Sequence, residues 1–365
     1  MSLDIGIIGL EKSGRTTIFN SLARTGAGVG RLRQEEHIGT ARVPDRRVDK
    51  LKEMFNSRKA TYAEIKYLDL GASIKGATGD FNISGRLLSQ LGATDALLCV
   101  IRNFKDESLI HPQLSIDPSR DIEAMEMELA FSDMAIIERR LERLAGQLKA
   151  ARQSEKLLLE REVSLLSSLQ KSLEEGVPLR RQKLGGEDLK QISSYQFLSL
   201  KPLLTVINID EEQIKNSAEL EKEMTGKFGD DSHRIIALAG KLEEELAGLD
   251  KASQQSFLSE FNLAEPGLDR VIRSSYDLLG LITFLTTGED ESRAWPVPGG
   301  ITAPRAAGNI HSDIERGFIR AEVVTFDNLV RLGGYAGVRR EGLLRVEGKN
   351  YTVQDGDVIH FLFNI

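Results

Sequence analysis

An α/β fold with a mostly parallel sheet is predicted for the first part of this chain. A long helical hairpin is inserted into it, and a smaller β-rich domain follows. Three observations carry that reading. The apolar run Ile5-Gly6-Ile7-Ile8 enters a glycine loop and then an apolar helix. Short apolar runs alternate with helical stretches, as in parallel sheets covered by helices. A stretch rich in Glu, Arg, Lys, Leu and Ala then breaks the alternation.

The first strand leads into Gly9-Leu10-Glu11-Lys12-Ser13-Gly14-Arg15-Thr16-Thr17, with Ile18, Phe19 and Leu22 on the helix behind it. Further strands are expected at Glu64 to Leu70, Ala96 to Ile101, Leu203 to Ile207 and Arg234 to Leu238. Between Arg120 and Glu175, two apolar stripes recur at three- and four-residue steps. Met134, Ile137, Leu141, Leu144 and Leu148 form the first; Leu159, Val163, Leu166 and Leu173 continue it. Polar Arg152-Gln153-Ser154-Glu155 separates them, so the segment reads as an antiparallel coiled-coil arm. Gly176 and Pro178 stop its second helix. A last helical region, Leu242 to Phe261, precedes β-rich segments at Leu278 to Thr286, Phe318 to Val324 and Val358 to Phe363, with a helix around Asn309 to Arg316. The expected domains are 1–115 with 190–277, the arm 116–189, and 278–365.

With 365 residues, 41% hydrophobic, the chain can bury sizeable cores. A formal net charge of −7 excludes a polycation, so contact with nucleic acid needs a local basic patch. Arg139, Arg140, Arg143, Lys149 and Arg152 on the arm, with Arg180, Arg181 and Lys183 after it, are the candidates. Interleaved glutamates favour a solvated helix face over contact with RNA. Cys99 is the single cysteine, so no intramolecular disulfide can form, and its apolar run marks it as a core position. The five histidines have no metal-ligand spacing. No apolar run reaches membrane-spanning length, and a cytoplasmic protein with no membrane contact and no DNA sequence specificity is expected.

The opening motif follows the P-loop plan, G-x-x-x-x-G-K-[ST], in which backbone N–H groups and a helix N-terminus wrap a phosphate. Gly9 and Gly14 permit the backbone path, with Lys12 and Ser13 inside the loop. Thr16 stands where a hydroxyl ligates Mg²⁺, and Thr17 is placed for the α-phosphate. The lysine of the plan is Arg15, whose forked guanidinium is wider than an ammonium. Asp69, at a strand end, fits the carboxylate that holds Mg²⁺ through water. The glycine of an Asp-x-x-Gly switch comes one place early, at Gly71, leaving Ala72 in its position. For base recognition, Asn208-Ile209-Asp210-Glu211 stands where Asn-Lys-x-Asp reads guanine. Glu211 replaces the aspartate, and Ala239-Gly240-Lys241 closes over the base.

Together these segments resemble the YchF family of Obg-related P-loop GTPases. The resemblance is most specific in Leu279 to Phe284, Arg293-Ala294-Trp295, Ala303 to Gly308, Ile310 to Asp313, Gly317 to Val323 and Val353 to Phe361. Val43-Pro44-Asp45, Lys75-Gly76-Ala77, Arg120 to Glu123 and Leu242 to Leu246 extend it over nearly the whole chain. It implies a G domain, an inserted arm and a C-terminal TGS domain of ubiquitin-like type. It also implies Mg²⁺ with ATP or GTP, ATP as well as or better than GTP, and association with the ribosome or RNA. The departures gather where γ-phosphate chemistry occurs. They are Arg15, Ala72, and Arg33 where the family has a threonine, with Thr40 nearby but out of register; Ser73 follows Ala72 where the family is hydrophobic. Two functions fit: a slow or impaired nucleotide-hydrolysing switch, or a non-hydrolysing scaffold that binds ribosome, RNA or protein.

Overall fold

The structure, a computed structural model, describes residues 3–24, 28–33, 36–70, 85–109, 111–112 and 114–364. The described chain divides into two units: Leu3–Gly39 with Lys66–Val271, and Thr40–Ile65 with Ile272–Ile365.

Thirteen described strands are assigned: β1 Asp4–Gly9, β2 Gly28–Arg33, β3 Glu36–Arg42, β4 Lys59–Thr61, β5 Glu64–Asp69, β6 Ala96–Asn103, β7 Leu203–Ile209, β8 His233–Leu238, β9 Leu281–Thr287, β10 Glu291–Pro298, β11 Phe318–Thr325, β12 Arg345–Glu347 and β13 Asp357–Phe363. The first ten described helices longer than one turn are α1 Arg15–Arg24, α2 Arg46–Phe55, α3 Gly85–Gly92, α4 Pro118–Ala150, α5 Gln153–Glu174, α6 Gly186–Ile192, α7 Ser217–Phe228, α8 Gly240–Leu246, α9 Lys251–Glu260 and α10 Gly267–Leu278.

The larger sheet has the order β2-β3-β5-β1-β6-β7-β8. β1 runs parallel to β5 and β6, β6 to β7, and β7 to β8. β6 and β7 are buried along almost their whole length, which is why they read as unbroken apolar runs rather than alternating ones. β1 lies between strands that follow it in sequence, so the chain departs to either side of it. A ligand crevice forms at the carboxyl end of such a switch point. Gly9 ends β1 against β6; a Cβ there would lie 2.7 Å from the Val100 carbonyl oxygen.

Arg33, read above in the place of a family threonine, ends strand β2, and Thr40 lies within strand β3. Extended pairing beside β5 satisfies its backbone. The expectations for Gly71, Ala72, Ser73 and Lys75 to Ala77 lie outside the described residues.

The inserted arm is the pair α4 and α5. The Asp117 carboxylate accepts a hydrogen bond from Arg120 N at 3.1 Å and Pro118 occupies the first turn, so α4 starts with both of its usual signals. Most of the predicted stripe forms the seam: Ile137, Leu144, Leu166 and Leu173 are buried together with Leu169, which the stripe did not include, and Met134, Leu141, Leu159 and Val163 pack on them, while Leu148 is outside this cluster. The link is tighter than the polar tetrad suggested. Gln153, Ser154 and Glu155 already belong to α5, whose first turn tolerates polar and acidic side chains. Arg140 ties the two helices through Glu162 at 2.7 Å. At the base, buried Asp133 accepts from Leu198 N, Ser199 N and Ser199 Oγ at 2.8, 2.7 and 2.6 Å.

The second unit holds a sheet of order β12-β11-β13-β9-β10-β4. Its last strand comes from far upstream: β4 pairs in parallel with β10, Lys59 opposite Glu291. Ser57 Oγ donates to the Gly288 carbonyl at 2.6 Å, and Arg47 bridges Asp45 and Asp355 at 2.8 and 2.7 Å. The helix expected around Asn309 to Arg316 is two short ones, Ala303–Gly308 and Ser312–Arg316. His311 Nδ1 accepts from Asp313 N at 3.2 Å and caps the second.

Because Leu144 is fully buried in the arm seam, Leu144→Ala is expected to cost about 3 kcal/mol there. Hydrogen exchange should quicken over α4 and α5 while β6 and β7 keep their protection; uniform quickening would show that the arm does not open by itself.

Candidate functional site

The loop from Leu10 to Gly14 joins β1 to α1 through two left-handed residues, Lys12 at φ 63° and Gly14 at φ 85°. Successive N–H groups in such a path form a concave nest for an anion. The helix N-terminus adds its dipole. Lys12 holds this conformation with a Cβ, at a cost of about 1 kcal/mol that the surrounding turn must offset. Ser13 N donates to Leu10 O at 3.3 Å and Ile18 N to Gly14 O at 3.0 Å, closing the turn and starting the helix.

Asn208 fixes the turn from the other side. Its Nδ2 donates to the Ser13 carbonyl at 3.1 Å, and its Oδ1 accepts from Gly240 N at 2.9 Å. One partner is a carbonyl and the other an N–H, so the orientation of the amide is dictated. Sequence reading placed Asn208 in the base-recognition motif; in the structure it lines the cavity and also braces the P-loop against the loop at Ala239 and Gly240. Gly14 sits under that amide, and a Cβ on it would lie 2.1 Å from Nδ2.

A cavity of about 960 Å³ opens beside the turn, at the upper end of small-ligand sites. Lys12, Ser13, Gly14, Arg15, Thr16 and Thr17 line one end, and Asn208, Glu211 and Ala239 the other. The structure thus brings together most of the residues that sequence reading picked. Gly9 lies behind the turn, and Gly240 contributes through its N–H to Asn208.

The residue in the lysine position does something else. Arg15 Nε stands 3.1 Å from Asp69 Oδ1, with the two side chains only 11% and 2% exposed. The expected metal donors were Thr16 and Asp69. Thr16 lines the cavity, but the Asp69 carboxylate is buried against a guanidinium. Mg²⁺ holds its waters tightly and needs an accessible carboxylate beside the phosphates. This donor set does not fit a hydrated Mg²⁺ held by Asp69.

Sequence reading missed the wall formed by Phe104, Lys105, Asp106 and Leu109. Its organiser is Arg102, buried at the end of β6, which donates to the carbonyls of Phe104, Asp106 and Leu109 at 3.1, 3.2 and 3.0 Å. The same guanidinium lies 4.7 Å from the Phe104 ring centre. Lys105 N donates to Asp210 Oδ2 at 2.9 Å, joining this wall to the base-side loop. A lone arginine closing an apolar strand was the available signal. The lining carries both signs: Lys12, Arg15, Lys105 and Lys241 beside Asp106, Asp210, Glu211, Glu212 and Glu244.

Other candidates fall away. Arg180 is buried against Glu126, Arg181 pairs with Asp230 at 2.6 Å and Arg140 with Glu162, so the basic cluster shrinks to exposed Arg139, Arg143, Lys149 and Arg152 on the arm, with exposed Lys183 after it. Cys99 is buried, and burial pushes its thiol far above its ordinary range. Among the described residues no group of three or more His, Cys, Asp or Glu could hold a metal, and no helix is long and apolar enough to cross a membrane.

Behind the cavity, Glu243 of α8 accepts from Gly267 N at 2.7 Å and Leu268 N at 3.2 Å. Burial pushes its carboxyl up from 4.5 to about 7, against the opposing pull of those two donors. The folded state therefore keeps a proton that the unfolded chain has released. The resulting stability is full below about 4.5 and is lost as pH rises through about 7.

Two outcomes are expected. Gly14→Ala should lower stability by about 2 kcal/mol in urea titrations, because it sets a Cβ both into a left-handed position and against Asn208. Glu243→Gln should match the wild type near pH 4.5 and exceed it by up to about 3 kcal/mol near pH 8. Parallel stability curves would show that Glu243 does not titrate in this range.

A family model named YchF-GTPase_C, described as a protein of unknown function (DUF933), matches residues 281–364. Over full length, the chain is 37% identical to the ribosome-binding ATPase YchF of Bacillus subtilis and 34% identical to that of Escherichia coli O157:H7, covering 100% of each chain. The solved YchF GTPase of Schizosaccharomyces pombe superposes with a TM-score of 0.86 at 26% identity, covering 99% of this chain and 98% of that one.

Proposed function

The chain belongs to the YchF family, and from that premise we propose that it binds a nucleoside triphosphate, ATP or GTP, at the P-loop cavity. In this reading it works in the cytoplasm as a slow nucleotide switch associated with the ribosome. The observation that carries the reading is the left-handed turn at Lys12 and Gly14, open to a 960 Å³ cavity and braced by Asn208. A nest of N–H groups beside a helix N-terminus binds polyphosphate whatever the base.

The residues divide the work. The turn and α1 hold the phosphates, with Lys12 supplying an exposed cation. Thr16 and Thr17 offer hydroxyls at the start of α1. Glu211, Ala239 and the Phe104 wall enclose the base end. Glu211 is longer than the aspartate that pairs with guanine, so ATP is expected to compete well with GTP. Hydrolysis depends on placing positive charge where the transition state builds negative charge. Arg15, paired with Asp69, is drawn to the carboxylate, and slow turnover follows. That same pair also favours the second reading, a scaffold that binds nucleotide without cleaving it. Ribosome association comes by way of the relatives named for it, and exposed Arg139, Arg143, Lys149 and Arg152 on the arm are the cations suited to it.

Calorimetric titration with ATP and GTP, beside single-turnover hydrolysis, tests this. Saturable binding with slow cleavage supports the switch, and binding without cleavage supports the scaffold. Silence towards both nucleotides at millimolar concentration contradicts the proposal. Cosedimentation with ribosomes should fall steeply as salt rises.

A further inference from the structure

We propose that the Arg15–Asp69 ion pair takes the place of a divalent cation, so that this chain holds a nucleotide's polyphosphate with an affinity indifferent to Mg²⁺. The inference rests on the nucleotide-binding reading above and deepens it.

A lysine-bearing P-loop sets two cations on the phosphates. The ammonium reaches the β- and γ-oxygens, and Mg²⁺ is held by the loop hydroxyl and, through water, by a strand-end carboxylate. In this chain both positions are altered by one substitution. The residue in the lysine position is an arginine, and its Nε lies 3.1 Å from the carboxylate that the metal would need. Asp69 is only 2% exposed, so its charge is compensated beneath the surface of the site rather than offered to it. A hydrated divalent ion would have to displace a guanidinium that cannot lose its proton. It would also have to approach that fixed positive charge at short range, where repulsion is little screened.

Arg15 also lines the cavity. A guanidinium carries five N–H donors in a planar fork, enough to face a carboxylate on one edge and phosphate oxygens on another. Lys12, exposed on the turn, adds a second monovalent cation. Two monovalent side chains and the N–H nest are then the countercharge offered to the phosphates, one positive charge fewer than Mg²⁺ and one lysine supply elsewhere. An ion pair of this kind orients phosphate but cannot exchange waters or shift between ground- and transition-state oxygens as a metal can. The arrangement suits retention of nucleotide more than rapid cleavage.

The test is titration of the full chain with a fluorescent N-methylanthraniloyl-ATP, once in MgCl₂ and once in EDTA, for the wild type, Arg15→Lys and Asp69→Asn. The wild-type Kd should change by less than about threefold between the two media, and Arg15→Lys should bind about tenfold tighter in MgCl₂. Asp69→Asn, which unpairs Arg15, should stay indifferent to Mg²⁺, its Kd changing by less than about threefold between the two media. A wild type that binds about tenfold tighter in MgCl₂ overturns the inference and leaves the nucleotide reading intact. So does an Asp69→Asn chain that loses affinity in MgCl₂ alone. An Arg15→Lys chain that stays indifferent to Mg²⁺ overturns the assignment to Arg15. Should Arg15→Lys not fold, the wild type and Asp69→Asn decide the matter. A wild type that binds in neither medium overturns the nucleotide reading, and the inference falls with it.

Discussion

The side-chain amide of Asn208 is the contact on which the candidate site depends. It donates to Ser13 O and accepts from Gly240 N, joining the turn after β1 to the end of β7 and the start of α8. Three strands of one parallel sheet thereby present their carboxyl ends as a single surface. A Cβ at position 14 would fall 2.1 Å from Nδ2, so a side chain there displaces the Asn208 amide. Gly14 thus answers two constraints at once, a positive φ and a close approach. Lys12 meets the first with a Cβ in place, and left-handed lysine is tolerated where the backbone conformation itself is used.

Charge is the second layer. The cavity is lined by charges of both signs, with Lys12 and Arg15 on the turn that would meet a phosphate tail. Within this field the Arg15–Asp69 pair is the departure that matters. Removing one partner of a buried pair is costly, whereas a complete pair adds little net stability. The pair is therefore better understood as shaping the site than as holding the fold. The fold has other supports: the continuous apolar strands β6 and β7, and the carboxylate of Asp133 anchoring the arm with three donors.

Much of this was legible in the chain itself. The P-loop spacing, the parallel strands and the arm seam follow from periodicities that only one structure satisfies, and the family resemblance carried the C-terminal domain. What was hidden shares a physical cause: it depends on contacts far apart in sequence. β4 is three residues long, with no alternating pattern, and becomes a strand only because β10 lies beside it. The Phe104 wall is shaped by hydrogen bonds from Arg102 to backbone carbonyls, which side-chain pattern does not reveal. The brace made by Asn208 was hidden because a residue's position in a motif is visible while its hydrogen-bond partners are not. The pairing of Asp69 with Arg15 was hidden for the same reason.

The central claim is that the turn from Leu10 to Gly14 wraps a polyphosphate although an arginine stands in the lysine position. Amide hydrogen exchange over Leu10 to Ile18, with and without ATP, addresses it at the atoms concerned. The account predicts that ATP slows exchange throughout this segment and at Gly240, which shares the Asn208 brace. Exchange rates there that do not move at saturating ATP would contradict it.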